Sequence, residues 1–419
     1  MLFAWELGMG LGHLMQMAPL ARDLAAAGHC VVVALRHLER AAEVFGDAGV
    51  YFLQAPYRGP AGRRAGRTAA FAQILAGLGF GDDNELFAHA SAWRNLIRGV
   101  GPDLVVCDYS PTALLAARDV PDVRRAVIGS GFCVPPDDGR RPWAPLRPGL
   151  VAANPAPALT VEAEILGRVN WVLEGWGREP LDGLGQLFSD VDETFLTTFP
   201  ELDHFRERAG AAYWGPVISG GVGPGAEAPE WPDGDGKRVF VYLKRTPVAG
   251  EVLRVLDALR VPTLAYVDGL DPAERKRLEA PTVRVAERRV DVAAASRACD
   301  LAVVNGGHGV TVEMLLAGKP VLAVPLVLEQ SLTGDALRRL GAGDAAAPKR
   351  GEPWEWAGAQ KLRAMLDDDT YGKCARRFAE RYAAFDPMVQ RLAMLRRAEE
   401  LLAGPASGAD APELEMAAV

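Results

Sequence analysis

The stretch "VNGGHGVTVEMLLAGKPVLAVPLVLEQ" (residues 304–330) decides the fold. The apolar run "DLAVV" leads into Gly306, Gly307 and Gly309. Helically spaced Val312, Leu315 and Leu316 follow, and then a second apolar run over residues 320–325. That order reads as strand, glycine turn, helix and second buried strand. Amide N–H groups at such a helix start attract an anion, and glycines let a phosphate come close to the backbone.

Outward from this stretch the rhythm repeats. "MLFAWEL" is an apolar strand, residues 14–27 have helical spacing, and "CVVVAL", "DLVVCDY" and "RAVIGSGF" are further strands, with the helical "TALLAAR" between the last two. "YWGPVISGGVGPGAEAPEWPDGDG" (residues 213–236) is dense in Gly and Pro and reads as a linker. Strands then resume with "RVFVYL", "TLAYV" and "TVRVA". Runs of Val, Leu and Ile without polar alternation mark strands buried on both faces of a parallel sheet. The expected architecture is α/β, with two Rossmann-like domains whose parallel sheets face a central cleft. They span residues 1–215 and 237–385, joined by 216–236, and a helix and loose tail occupy 386–419.

Composition agrees. A chain of 419 residues exceeds one ordinary core and suggests two domains of about 150 to 200 residues. Net charge is −8, without the basic footprint of a nucleic-acid binder. Cys30, Cys107, Cys133, Cys299 and Cys374 are odd in number and lack CxxC spacing, as expected of thiols in a reducing compartment. The start "MLFAWELGMG" lacks the pattern of a signal peptide, and no apolar run reaches membrane-span length. A cytoplasmic protein is expected. The acid runs at 190–192, 233–235 and 367–369 read as solvated surface charge, so no metal site is predicted.

The first strand ends in "ELGMGLGH", where Gly8, Gly10 and Gly12 suggest close backbone approach and His13 stands near the helix start. A dinucleotide fold also begins this way, but Arg36 and His37 stand where its ribose-binding acid belongs. A helix start favours neutral imidazole, which suits His13 as a proton acceptor. His29 reads as structural.

These segments together resemble the GT-B-fold glycosyltransferases of the UDP-glycosyltransferase and antibiotic-macrolide glycosyltransferase kind. Gly12-His13, Leu20-Ala21, Leu24 and Gly28-His29 reproduce the spacing of that family's first domain. "PDLVVCDYSPTALLAAR" resembles its acid-bearing segment, "YWGPV" the close of its first domain, and residues 305–330 its donor motif. The resemblance implies a GT-B architecture with C-terminal helices crossing back to the N-terminal domain. It also implies an inverting, metal-independent glycosyltransferase that takes the sugar of a UDP- or dTDP-sugar as co-substrate and uses no cofactor. A small-molecule or peptide acceptor, and a monomer or homodimer, are expected.

Position by position, the resemblance makes His13 the general base and Asp108 its partner. Gly306, Gly307, Gly309 and Val310 become diphosphate donors, with Gly12, Asn305, His308 and Thr311 beside them. Glu313 would hold the ribose, Glu329 and Gln330 the sugar, and Arg289 and Val290 the base. Lys244, Arg245 and Thr246 replace the family's Gly-Ser, and two cations there suit a diphosphate. Asn305 takes the place of the family's phosphate-binding histidine, while His308 is new. Glu6 precedes the first glycine turn and is a possible second base.

Two other readings remain open. One is the same fold acting on a lipid-linked acceptor, with "YRGPAGRRAGR" (residues 57–67) as a membrane patch rather than an acceptor loop. The other is a non-catalytic protein that binds sugar nucleotides. Trp93, Trp143, Trp171 and Trp176 are either core residues or stacking surfaces for the acceptor.

Overall fold

The computed structural model describes residues 1–8, 11–39, 41–46, 48–57, 68–206, 208–218, 226–348 and 353–404. Gly10, residues 58–67 of the basic stretch, residues 219–225 of the linker and the expected tail from 405 onward lie outside the described residues.

Among the described residues, twelve strands form two six-stranded sheets, parallel throughout. The first contains β1 (Leu2–Trp5), β2 (Val32–Leu35), β3 (Tyr51–Gln54), β4 (Leu104–Asp108), β5 (Arg124–Gly129) and β6 (Glu193–Leu196), in the order β3-β2-β1-β4-β5-β6. The second contains β7 (Val239–Lys244), β8 (Thr263–Asp268), β9 (Val283–Val285), β10 (Leu301–Val304), β11 (Val321–Ala323) and β12 (Gly343–Ala345), ordered β12-β11-β10-β7-β8-β9. Numbered from its own first strand, the second sheet repeats the order of the first. This is the doubly wound arrangement in which ligands sit beyond the carboxyl ends of the strands, where the strand order reverses.

Each sheet separates two apolar clusters, which explains the unbroken hydrophobic runs. In the first sheet, Leu2, Ala4, Val105 and Cys107 face one cluster, and Phe3, Trp5, Leu104 and Val106 face the other. In the second, Phe240, Ala302 and Val304 alternate in the same way with Val239, Val241 and Val303. Trp93 and Trp143 are fully buried core, whereas Trp171 is exposed and meets Phe87 at 5.8 Å between ring centroids.

β3, β6 and β12 were not among the expected strands. Every residue of β3 is exposed at the sheet edge, so burial imposed no apolar pattern there. β6 is "ETFL" with only its last two residues buried. β12 is three residues long, and a Cβ at its Gly343 would lie 2.1 Å from the Val321 carbonyl oxygen. Close strand approach selected glycine at that point.

The chain crosses back at its end. Helix Pro387–Ala403 packs Met394, Ala398 and Leu401 into the cluster under Phe3 and Trp5. Arg391 pairs with Asp23 there, and Arg397 pairs with Glu193 at 2.6 Å. Before it, Tyr382 stacks on Phe199 with centroids 3.8 Å apart. The carboxyl-terminal helices therefore bind both halves. Among the described residues, no helix is long and apolar enough to cross a membrane.

Candidate active site

Strand pairing builds the central dyad. β1 lies between β2 and β4, with Trp5 in register with Asp108. The helix Leu11–Ala26 that follows β1 thus starts beside the end of β4. His13 Nδ1 meets Asp108 Oδ2 at 3.0 Å. Asp108 is fully buried, and its Oδ1 has no hydrogen-bond partner. Trp5 and Tyr109 flank the imidazole, with ring centroids at 5.4 and 6.0 Å.

Gly8 has φ +84°, and a Cβ there would lie 2.2 Å from His13 Nε2. Close approach was expected at this glycine, and what approaches it is the His13 ring. The direction of the His13 pKa is also corrected. Burial lowers it, but the charge of Asp108 and its hydrogen bond raise it more, and the net position is above the ordinary 6.5. A buried carboxylate 3 Å away outweighs the partial charge of a helix start.

His13 faces a cavity of about 340 Å³ between the two sheets. Gly12, Gln16 and Cys133 line it from the first domain; Lys244, Asn305, Gly307, His308, Gly309 and Val310 line it from the second, as do Arg289, Val290, Glu313, Glu329 and Gln330. Twelve of the expected donor-side residues therefore share one cleft with the dyad. Gly307 and Gly309 have open space where a Cβ would stand, at the start of helix His308–Leu316. Backbone donors and helix-dipole charge reach the cleft there. Burial pushes His308 down to about 4. It is neutral at pH 7, and its buried Nε2 has no partner.

The other expected site residues do different work. Gly306 (φ +84°) does not line the cleft. A Cβ there would lie 3.0 Å from the Gln330 carbonyl, so this glycine lets helix Leu328–Leu340 approach the turn. Thr311 is buried and donates to the Gly307 carbonyl at 2.8 Å. Arg245 points outward to Glu274, and Thr246 opens helix Pro247–Ala258. Only Lys244 of that trio reaches the cavity, because β7 ends on it and the chain then turns away. Asn305 lines the cleft but accepts from the Lys244 amide at 2.7 Å and donates to the Val324 carbonyl at 2.9 Å. It ties strand ends together.

Glu6 is corrected as a second base. Its buried carboxylate accepts from the Thr112 and Ala113 amides at 3.1 and 3.3 Å, at the start of helix Pro111–Ala117. It borders a separate small cavity instead of the cleft. Burial raises its carboxyl to about 7 despite the hydrogen bonds from Thr112.

Sequence reasoning missed Tyr242, Asp268 and Cys133, all of which line the cleft. The signal for the first two was their place: each lies at or near the carboxyl end of a parallel strand. Cys133, Asp108 and His13 bring three ligand-type atoms within 4.8 Å of one another, the one such grouping among the described residues. The acid runs at 190–192, 233–235 and 367–369 form no such group there.

Glu313 offers a direct test of the donor side. Burial, and then the charge of Asp291, push its carboxyl up to about 7, and Oε2 has no partner. The deoxyribose hydroxyl of dTDP donates better to carboxylate than to carboxylic acid, so ligand binding should expel a proton. Affinity for dTDP should then fall as pH drops below about 7, by at most tenfold per unit. Glu313→Gln should flatten that dependence, and Glu313→Ala should cost about 1.5–3 kcal/mol of binding. Calorimetric titration at several pH values measures both. A flat wild-type profile places the ribose elsewhere.

Known proteins similar to this chain in sequence and in fold are glycosyltransferases. No family model matches the chain. A PGL/p-HBAD biosynthesis glycosyltransferase of Mycobacterium tuberculosis is 27% identical over 333 residues, covering 75% of this chain and 74% of the relative. A PGL/p-HBAD biosynthesis rhamnosyltransferase of Mycobacterium bovis is 31% identical over 222 residues, covering 51% and 47%. Among solved structures, the calicheamicin glycosyltransferase superposes with a TM-score of 0.68 at 18% identity, over 97% of this chain and 99% of its own. A Streptomyces glycosyltransferase complexed with thymidine diphosphate gives 0.59 at 20% identity, over 96% and 99%. The fold is GT-B.

Proposed function

We propose that this chain, a glycosyltransferase of the GT-B fold, transfers a sugar with inversion from a dTDP- or UDP-sugar to a hydroxyl of a small-molecule acceptor. The observation that carries the reading is the His13–Asp108 pair at 3.0 Å, facing Lys244 and the open glycine turn across one cleft. The thymidine diphosphate complex of a structural neighbour supports a dTDP donor. The relatives' named roles in PGL/p-HBAD biosynthesis, and the neighbour named for calicheamicin, support a natural-product type of acceptor.

In this reading the acceptor hydroxyl gives its proton to His13 Nε2 while Nδ1–H stays on Asp108, which stabilises the imidazolium. The hydroxyl oxygen attacks the anomeric carbon from the face opposite the diphosphate, and the bond to the diphosphate oxygen breaks. Charge gathers on the leaving group, where the Gly307, Gly309 and Val310 backbone, neutral His308 and Lys244 stand. Preorganised donors of this kind stabilise developing charge without reorganising, and no divalent cation is needed.

The test is stereochemical. Incubated with an α-linked dTDP-sugar and a panel of hydroxylated acceptors in excess EDTA, the protein should form a β-glycoside, read from the anomeric proton coupling. An α-product, or turnover that EDTA abolishes, defeats the proposal.

A further inference from the structure

A second cavity, of about 520 Å³, opens between the two domains on the other side of helix Leu328–Leu340. The helix divides the two spaces: Glu329 and Gln330 line the cleft, whereas Ser331, Leu332, Asp335, Arg338 and Arg339 line the groove. Its opposite wall comes from the first domain and includes Arg140, Arg147 and Arg206. Among the described residues, five arginines line one groove and Asp335 is its one lining carboxylate, in a chain of net charge −8.

Two of the five are neutralised locally, Arg140 by Asp138 and Arg338 by Asp335 and Asp344. Among the described residues, Arg147, Arg206 and Arg339 have no carboxylate within ion-pair distance. Arg206 is held in a left-handed backbone conformation at φ +68°, a strain that persists only where the surroundings over-determine it. Burial, and then the charge of Arg206, hold the Arg339 guanidinium below its usual range, although the charges of Asp335 and Asp203 oppose them. An anion bound between these like charges would relieve the repulsion that remains between them. Leu146, Leu150, Phe205 and Leu332 supply apolar surface between the cations.

We propose that this groove binds an anionic group, a carboxylate or phosphate, carried on the far end of the acceptor. The proposal rests on the glycosyltransferase reading above. The spacing follows from the shared helix: Arg339 stands about 13 Å beyond Gln330 along its axis, at roughly 1.5 Å per residue. An acceptor that fits has its reactive hydroxyl at His13 and an apolar body leading past Gln330. The two spaces are adjacent: His204, which lines the groove, and His308, which lines the cleft, have ring centroids 6.4 Å apart. The guanidinium forks of Arg206 and Arg339 then take the anion, and bidentate pairing suits them to either oxyanion.

The experiment titrates inorganic pyrophosphate into the full chain by calorimetry, with the donor site saturated by dTDP. Binding at one site is expected, and Arg206→Gln/Arg339→Gln should weaken it tenfold or more while leaving dTDP affinity unchanged. Binding of equal strength in both proteins, or none in the wild type, overturns the proposal. Lys244→Ala separates this from the donor reading: pyrophosphate binding that survives Lys244→Ala but not the double arginine variant belongs to the groove, whether or not dTDP binds. The source of the anion is read from phenols bearing a terminal carboxylate on alkyl spacers of increasing length, against their methyl esters. The acids should displace pyrophosphate best at one spacer length and the esters should not. Acids that leave pyrophosphate bound at every length reduce the groove to a site for free inorganic phosphate, and the assignment to an acceptor fails.

Discussion

In His13→Ala, sugar transfer falls by about a hundred- to ten-thousand-fold, while the thermal stabilisation by dTDP stays at its wild-type value. In the proposed mechanism the base stands on the first domain and the diphosphate on the second, so the two functions should separate. The wild-type pH profile of kcat/KM rises with pH through the His13 pKa, which Asp108 holds above 6.5 against the opposing effect of burial. The imidazole works as a base only when neutral, so activity is lost below that pKa and retained above it. Asp108→Asn should lower the rate and move the rising limb toward acid, because burial then acts without the carboxylate. A purely structural Asp108 would lower the rate without moving the limb. His13→Ala/Asp108→Asn should be little worse than His13→Ala, since residues acting as one unit do not add. Transfer that survives His13→Ala sinks the dyad.

Gly8→Ala produces the second largest loss. The new methyl would sit 2.2 Å from Nε2 and 3.0 Å from both flanking ring carbons, on a backbone at φ +84°. Left-handed alanine costs about 1–2 kcal/mol, which a chain of this size tolerates. The ring, however, must move by an ångström or more, and a displacement of that size costs about a hundredfold in rate. Steady-state kinetics should show a collapsed kcat with dTDP affinity intact and a melting temperature lowered by only a few degrees. A wild-type kcat would mean that the ring is not seated against Gly8.

The two predictions differ in how visible their residues were in the sequence. His13 follows, and Asp108 ends, a strand whose apolar run was unmistakable, because each sheet is covered on both faces. The glycine turn at 306–309 announced itself by spacing. What the glycines do was less legible. Gly8 accommodates a ring and Gly306 a neighbouring helix, and composition alone does not separate close approach of a side chain from that of a ligand. Lys244, Arg245 and Thr246 looked equivalent as a short polar run, yet the end of β7 sends one inward and the others away. Glu6 looked like a base because it precedes the turn, but its carboxylate serves a helix start on the neighbouring β4 crossover. Such assignments depend on partners about a hundred positions distant. The same holds for the edge strand β3, where exposure removed the alternation that makes strands readable.

The returning helix Pro387–Ala403 bears on how the protein is made. Met394, Ala398 and Leu401 complete an apolar cluster whose other buried members all lie in the first two hundred residues. On the ribosome the amino-terminal half emerges first, yet part of one face of its sheet lacks its covering helix until residues 387–403 are made. Domains usually fold as units in order of synthesis; here the first to appear is the last to be sealed. Any nascent-chain factor that shields Phe3, Trp5 and their neighbours must therefore hold on while the whole second half is translated, and release only when the terminal helix arrives to take its place.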